Sequence, residues 1–447
     1  MALHKDTQVT LYSGKVKRVS ELLEGELLMG EDSSPRKIIE LQTRHSSSFE
    51  IHSVRGKTFV TDVTHPLVLN KSINLIKSKG LRGKNRPTKY RHFPDQIRAS
   101  VANILRKNSK SFYKSFYVTK ASIKFNFSPV PIDPYFLGAW LGDGTKHLCS
   151  ITSMDKEIID EVYNQAKLSG LKVSINTKKD SKASTYTIVR GNVKGYPRVG
   201  KNPLFNLFRQ TDLINNKHVP DCYKYNSEQV RLQLLAGFID TDGSFRSNVY
   251  DIFQKNYQLS LDICAIANSL GFRTTMKVRI KSIRKIDFSD NYCSITICGD
   301  INRIPVRLPR KMANDVSKRY NRKNGGMKIL QTGLIEDLVY LKTDGSNTFL
   351  LEDGTVLSGD EDSLVPIDSY WIQANDLIWE RKLEELREFI ILSNRYPRFR
   401  NMQERKLNRW LGYNMKRIMQ GKFSKERLQK FDSLKISLTT RGVKRVM

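Results

Sequence analysis

Two aspartates, Asp143 and Asp242, close two similar apolar nonapeptides: FLGAWLGDG over Phe136–Gly144 and LAGFIDTDG over Leu235–Gly243. A pair of carboxylates can support phosphodiester hydrolysis when it holds a divalent cation. Hard Mg²⁺, or Mn²⁺ in its place, takes oxygen ligands and keeps waters and substrate phosphates in its shell. That chemistry needs two residues 242 − 143 = 99 positions apart to meet. Each nonapeptide reads as a short helix with small residues at helical spacing, Gly138 and Gly142 in the first and Ala236 and Gly237 in the second. Such a stripe lets another backbone come close. Packed small face against small face, the two helices deliver both aspartates to the same end, and the near-repeat calls for two related subdomains.

The two motifs resemble the paired motifs of the LAGLIDADG (DOD-type) homing endonucleases, the second closely and the first in a degenerate form. In that family the last Asp of each motif binds the catalytic metals, which the resemblance implies for Asp143 and Asp242. The phrase NKHVP, Asn216–Pro220, resembles the block of these enzymes whose Lys approaches the scissile phosphate, implying that role for Lys217. In the basic stretch IPVRLPRKM after the second motif, Lys311 is the expected counterpart and Arg310 the second choice. A cation there would stabilise developing negative charge or hold the attacking water. The implied α+β endonuclease domain covers 129–324 in two pseudo-symmetric halves. The first is expected to hold a helix over Asp155–Ser169, strands over Val173–Asn176 and Thr185–Val189, and a helix over Pro203–Asp212. The second is expected to hold a helix over Gln258–Leu270 and strands over Arg273–Arg279 and Tyr292–Cys298.

Residues 1–70 are of another kind. Short alternating runs broken by turn residues (Gln8–Tyr12, Leu27–Met29, Lys37–Leu41, Phe49–His52, Thr58–Val63, Leu67–Leu69) read as an all-β unit. KDTQVTLYSGKVKRVSEL and FVTDVTHPLVL resemble the A and B blocks of an intein Hint domain, and VYLKTDGSNTFLLEDGTVL, Val339–Leu357, its closing block. The resemblance implies a discontinuous Hint domain, 1–70 plus 325–360, with the endonuclease inserted. Splicing needs a nucleophile at the first intein position, where the register places Ala2. It also needs a His-Asn pair at the end, where Ser358 and Gly359 stand. Thr64 and His65 keep the B-block pattern, but a general acid or base without its nucleophile does no chemistry. The expectation is an intein that has lost splicing.

A formal charge of +31, from 76 Lys and Arg against 45 Asp and Glu in 447 residues, calls for a polyanionic partner. Double-stranded DNA fits better than a membrane, since no long uncharged apolar run exists. The segment 71–128 is a basic DNA-recognition region, with Lys77, Lys79, Arg82, Lys84, Arg86, Lys89 and Arg91 among interleaved aromatics. Lys and Arg there would displace counterions from phosphates. The five cysteines form no CxxC pair, and with no signal core at the N-terminus an intracellular location is expected, nuclear in a eukaryote. Beyond Asp360 the pattern turns helical: Glu380–Ile391, Gln403–Lys416 and Ser424–Leu434, with Trp379, Leu383, Leu386, Phe389, Leu407, Trp410, Leu411, Leu428 and Leu434 as candidate core. This module, 370–440, resembles the helicase-associated helical domain, implying DNA contacts from Arg409, Lys416 and Arg417. The layout also resembles the mating-type switching endonucleases of yeasts, but without the cysteine-rich zinc motifs in which those end. The reading is a monomeric, Mg²⁺-dependent, site-specific endonuclease, because two motifs in one chain make a dimer unnecessary. A non-catalytic DNA-binding protein or RNA maturase on the same fold, or an intein still able to splice, are the alternatives.

Overall fold

The computed structural model describes residues 2–53, 57–71, 96–107, 116–177, 181–191, 202–283, 288–313, 327–345, 347–359, 367–421, 423, 425–432 and 434. They belong to two compact units, Met1–Leu364 and Val365–Met447. The content is mixed α and β, with several separate sheets.

The first unit opens with a β frame: β1 (Ala2–His4), β2 (Gln8–Thr10), β3 (Val16–Arg18), β4 (Leu27–Met29), β5 (Pro35–Ser53), β6 (Phe59–Thr61) and β7 (Pro66–Lys71). Sequence pattern predicts two strands where β5 is one. The polar run Ser46-Ser47-Ser48 reads as a break, but an equally long antiparallel partner much later in the chain keeps it extended. Next come β8 (Gln96–Ser100), α1 (Val101–Lys107) and β9 (Phe116–Val118). Both strands pair with β7, so these parts of the basic region extend the frame's sheet.

The first motif helix, α2 (Pro134–Asp143), begins where Pro134 fixes φ at N1 and Asp133 caps the amides of Tyr135 and Phe136 at 2.8 and 3.0 Å. It leads into β10 (Ser150–Ser153), α3 (Lys156–Leu168), β11 (Lys172–Thr177), β12 (Ser184–Val189), α4 (Pro203–Gln210) and the single turn α5 (Asp221–Lys224). The second motif helix, α6 (Glu228–Asp242), is capped by Ser227 and followed by β13 (Gly243–Arg246), β14 (Val249–Gln254), α7 (Tyr257–Ser269), β15 (Arg273–Ile283) and β16 (Phe288–Cys298). The first half carries a three-stranded sheet in the order β10-β12-β11, and the second a four-stranded sheet in the order β13-β14-β16-β15. The expected elements of both halves are present. The strand β10, the turn α5 and the hairpin β13–β14 are additional. One continuous core joins the halves, built on Phe136, Trp140, Phe208, Phe238, Tyr250 and Phe272.

The frame is completed by β17 (Met327–Thr343), β18 (Thr348–Leu350) and β19 (Val356–Ser358). β17 lies between β1 and β5, with Ala2 opposite Tyr340 and Leu41 opposite Leu341. β19 meets β7 at Leu357 opposite Leu67.

Among the described residues the second unit holds three helices, α8 (Ile367–Ser393), α9 (Arg405–Met419) and α10 (Lys425–Asp432). Its core is Trp379, Leu383, Leu386, Ile390, Leu407, Phe431 and Leu434, with Phe389, Trp410 and Leu411 against it. Leu428, expected inside, is not part of that cluster; Phe431 fills the place, its ring among Trp379, Trp410 and Phe423. No helix of the described residues is long and apolar enough to cross a membrane.

Candidate active site between the paired helices

The stripe of small residues decides how closely α2 and α6 approach. A methyl carbon at Gly138 would lie 2.0 Å from the carbonyl oxygen of Leu234, and one at Gly237 would lie 2.0 Å from that of Tyr135. At Gly142 it would lie 2.0 Å from Thr241 Oγ1 and 3.5 Å from Asp242 Cγ. Only hydrogen fits at these positions. Backbone contact of this kind places the two C-termini, and with them Asp143 and Asp242, side by side.

Each helix end is held by a lysine. Lys217 Nζ donates to the carbonyls of Leu141 and Gly142, both at 3.0 Å, and lies 5.2 Å from the centre of the Trp140 ring. Lys311, buried, donates to Ile239 O at 2.9 Å and Asp240 O at 2.7 Å, with Thr241 O at 3.4 Å. Carbonyls left over at a helix C-terminus favour a cation. The two clasps are equivalent, since Leu141 stands two before Asp143 and Asp240 two before Asp242. Arg310 lies elsewhere, with both guanidinium NH groups on the Asp155 carboxylate at 2.6 and 2.7 Å.

Charge and burial shift every member of the group. Burial raises the Asp143 carboxyl above the usual range, against the lowering pull of Lys217 and Lys311. Burial, and then the Asp143 charge, push Asp242 up to about 6. Lys217 is lowered to about 8, because its loss of water outweighs the attraction of both carboxylates. Burial likewise lowers Lys311. Two carboxylates whose charged forms are disfavoured by burial and, for Asp242, by each other's presence fit a divalent cation, and an oxygen donor set suits a hard one. Among the described residues no three of His, Cys, Asp and Glu converge, so a protein-only cage is absent there.

Five supporting residues escaped the sequence reading. Gln254 Nε2 donates to Asp242 Oδ2 at 2.9 Å, and Asn256 Nδ2 to Lys217 O at 2.7 Å. Buried Asp240 accepts from Tyr135 Oη at 2.6 Å and from the amide of Arg307 at 2.6 Å, tying α2 and the Lys311 loop to α6. Arg307 lies 3.5 Å from the centre of the Tyr135 ring. Only Asp240 left a trace in sequence, as an acid inside an otherwise apolar motif.

Residues 218–307 match the family model for homing endonucleases. Over that stretch the chain is similar to the homing endonucleases. The match takes in α6 and Asp242 and stops short of Lys311. The replicative DNA helicase DnaB of Mycobacterium intracellulare is 26% identical over 264 residues, 57% of this chain and 40% of that protein. The chain thus spans 40% of the length of that curated relative. Among solved structures, a mesophilic variant of the homing endonuclease I-DmoI is 13% identical, covering 40% of this chain and 94% of that one with a TM-score of 0.27. The gp41-1 intein is 22% identical, covering 15% of this chain and 51% of that one with a TM-score of 0.14.

Outside that stretch, the residues at the expected splicing-block positions lie in the β frame. Ala2 is fully buried in β1, and its carbonyl accepts from Thr61 Oγ1 at 2.5 Å. His65 is also fully buried, against Ala2 and edge-on to Phe59, and neither ring nitrogen has a hydrogen-bond partner among the described residues. Burial lowers it to about 3, so the ring is neutral. Thr64 caps its own loop through Asp62, at 3.0 Å. Ser358 is buried opposite Thr348, and a side chain at Gly359 would meet the Asn347 amide at 2.5 Å.

The predicted DNA contacts divide. Lys77, Lys79, Arg82, Lys84, Arg86, Lys89 and Arg91 lie outside the described residues. Arg409, Lys416 and Arg417 stand on α9, which buries Leu407 and Asn414. Arg405, Arg409 and Lys416 recur at i, i+4 and i+11 on the opposite side, with Tyr413, which is 60% exposed. Arg405 and Arg409 both lie over Phe399, at 5.3 and 5.6 Å.

Proposed function

We propose that the chain is a monomeric, site-specific double-strand DNA endonuclease, dependent on a divalent cation of the Mg²⁺ class and mounted on a Hint-like frame that no longer splices. The observation that carries this reading is the doubled constellation: two motif helices in backbone contact, each ending in a carboxylate and each held by a lysine.

In this reading Asp143 and Asp242 hold the cation, which supplies an activated water and neutralises charge on the scissile phosphate. Lys217 and Lys311 keep positive charge beside the carboxylates while fixing the helix ends. Lys217, an ammonium lowered to about 8, is a ready proton donor toward a departing oxygen near neutral pH. Gln254 fixes the orientation of the Asp242 carboxylate. Strand separation and unequal halves suit an asymmetric duplex target. The cationic, aromatic-backed side of α9 and the basic region 71–128 supply phosphate contacts away from the chemistry.

The test is cleavage with Mg²⁺ of duplex sites selected from a randomised library. Asp143→Asn and Asp242→Asn should each slow cleavage by roughly a hundredfold or more while leaving DNA affinity nearly unchanged, because ligands are lost and phosphate contacts are not. Cutting at near wild-type rate by either variant sinks the reading. In the same binding assay, a chain ending at Asp360 should lose affinity and show a shallower salt dependence; identical salt curves would remove the helical module from the DNA.

A further inference from the structure

We infer that the segment 119–128 is a strap that clamps the second motif helix to the β frame, so that the stability of α6 depends on frame residues belonging to neither motif. This coupling holds whether or not the paired aspartates cut DNA. The strap forms no helix or named strand of its own. Its main-chain groups must find partners elsewhere, and they find them on two sides. On the frame side the Thr119 amide donates to Val68 O at 2.9 Å, and its carbonyl accepts from the Val356 amide at 2.9 Å. The Ala121 amide reaches Gly354 O at 2.9 Å and the Lys124 amide reaches Ser33 Oγ at 2.8 Å. The Lys120 ammonium lies 3.0 Å from the buried carboxylate of Asp353.

On the other side the Ile123 amide donates at 2.8 Å to the carbonyl of Ser269, the last residue of α7. Asn226 accepts from the Ser128 amide at 3.1 Å and returns a hydrogen bond from Nδ2 to Ser128 O at 2.8 Å. Arg231, fully buried near the start of α6, joins these pieces. Its Nε donates to Asn226 O at 2.8 Å, Nη1 to Ser269 Oγ at 2.6 Å and Nη2 to Ile123 O at 2.7 Å. The guanidinium lies 5.0 Å from the centre of the Phe125 ring. All three acceptors are neutral, and burial lowers the group to about 10.

A buried cation without a carboxylate is tolerated only while its donors are filled. Two of the acceptors of Arg231 flank α6 and α7, but the third, and the ring beside the charge, belong to the strap. Lifting the strap therefore leaves an empty guanidinium donor in the helix that ends at Asp242. The frame holds the strap down by close contact. A methyl carbon at Gly354 would lie 2.9 Å from Ala121 O and 3.7 Å from Asn268 O of α7. One at Gly14 would lie 2.3 Å from the Tyr225 ring, which meets Phe125 edge-on at 5.9 Å.

Amide hydrogen exchange of the full chain, resolved by segment with mass spectrometry, tests the coupling. Gly14→Ala and Gly354→Ala place a methyl in the joint, at φ of +89° and +80°. Gly25→Ala, at φ +88° with nothing within 4 Å, carries the same backbone strain without touching the strap. Relative to Gly25→Ala, the first two should speed exchange in α6 and α7 by about tenfold or more. Arg231→Met should in return speed exchange in the frame strand β19 by about threefold or more, since coupling between two sites is reciprocal. If Gly354→Ala does not fold, Lys120→Met removes the pair with Asp353 and should speed exchange in α7 by about threefold or more. Equal exchange in α6 and α7 across the glycine variants overturns the inference, as does β19 exchange unchanged by Arg231→Met.

Discussion

The seam between α2 and α6 and the pocket around Ala2 and His65 are both buried and both hold ionisable groups, yet they partner them differently. In the seam Lys217 and Lys311 hold helix-end carbonyls, Asp242 accepts from Gln254, and Asp240 accepts from Tyr135 and the Arg307 amide, while Asp143 has the charges of both lysines nearby. In the pocket an imidazole lies among Ala2 and Phe59 with neither nitrogen paired. Burial of polar groups is expensive, and a chain maintains partners where the group is used. The difference separates a seam of partnered charges from a pocket that holds a neutral, buried imidazole.

The largest expected effect is qualitative. Fused between two reporter domains, the chain should yield precursor and no ligated reporters, since Ala2 offers no nucleophile and Gly359 no amide to cyclise; ligated product on a gel would mean that the pocket still works. Next is Gly138→Ala, whose methyl would press on the Leu234 carbonyl at 2.0 Å. It should cost about 3 kcal/mol in denaturant unfolding; a loss under about 1 kcal/mol would show that the helices are free to move apart.

A pH series without metal tests the seam's electrostatics. The folded state holds the Asp242 proton up to about 6, above its ordinary 3.8. Folded chains therefore bind more protons than unfolded ones between those values, and stability falls as pH rises through that window. Asp242→Asn lacks this component, so with EDTA it should match wild type below pH ~4 and exceed it by about 1–3 kcal/mol above pH ~6. An advantage unchanged across the window would contradict the burial and, after it, the Asp143 charge as what holds the Asp242 proton. The smallest effect belongs to the pocket: His65→Leu should change stability by less than about 1 kcal/mol or increase it, because it removes an unpaired polar ring. A loss of about 3 kcal/mol would reveal a partner for His65.

The seam was legible because glycine spacing and apolar repetition are local signals. FLGAWLGDG and LAGFIDTDG state both the close approach and the end at which the aspartates emerge. Lys217 and Lys311 were reached through resemblance, and geometry then separated Lys311 from Arg310 by the group each one holds. Gln254, Asn256 and Asp155 were not legible, since each acts only once a strand register brings it beneath a helix end contributed from far away. The single strand β5 was misread as two for the same reason. Its central serines have no strand preference of their own, and pairing with β17 extends them.

That pairing also imposes a timetable. β5 ends at Ser53 and its partner begins at Met327, so 327 − 53 = 274 residue steps separate them during synthesis. At ribosomal speeds of 5–20 residues per second, β5 waits roughly 15–55 s for the strand that covers it. A bare strand of that length invites pairing with other nascent chains. The segment Arg44-His45-Ser46-Ser47-Ser48, polar throughout, and the charges of Arg36, Lys37 and Glu40 are what an unattended edge needs. Both motif helices meanwhile have every contact of their seam available before β17 appears, so the two-helix core can be complete while its frame is still open.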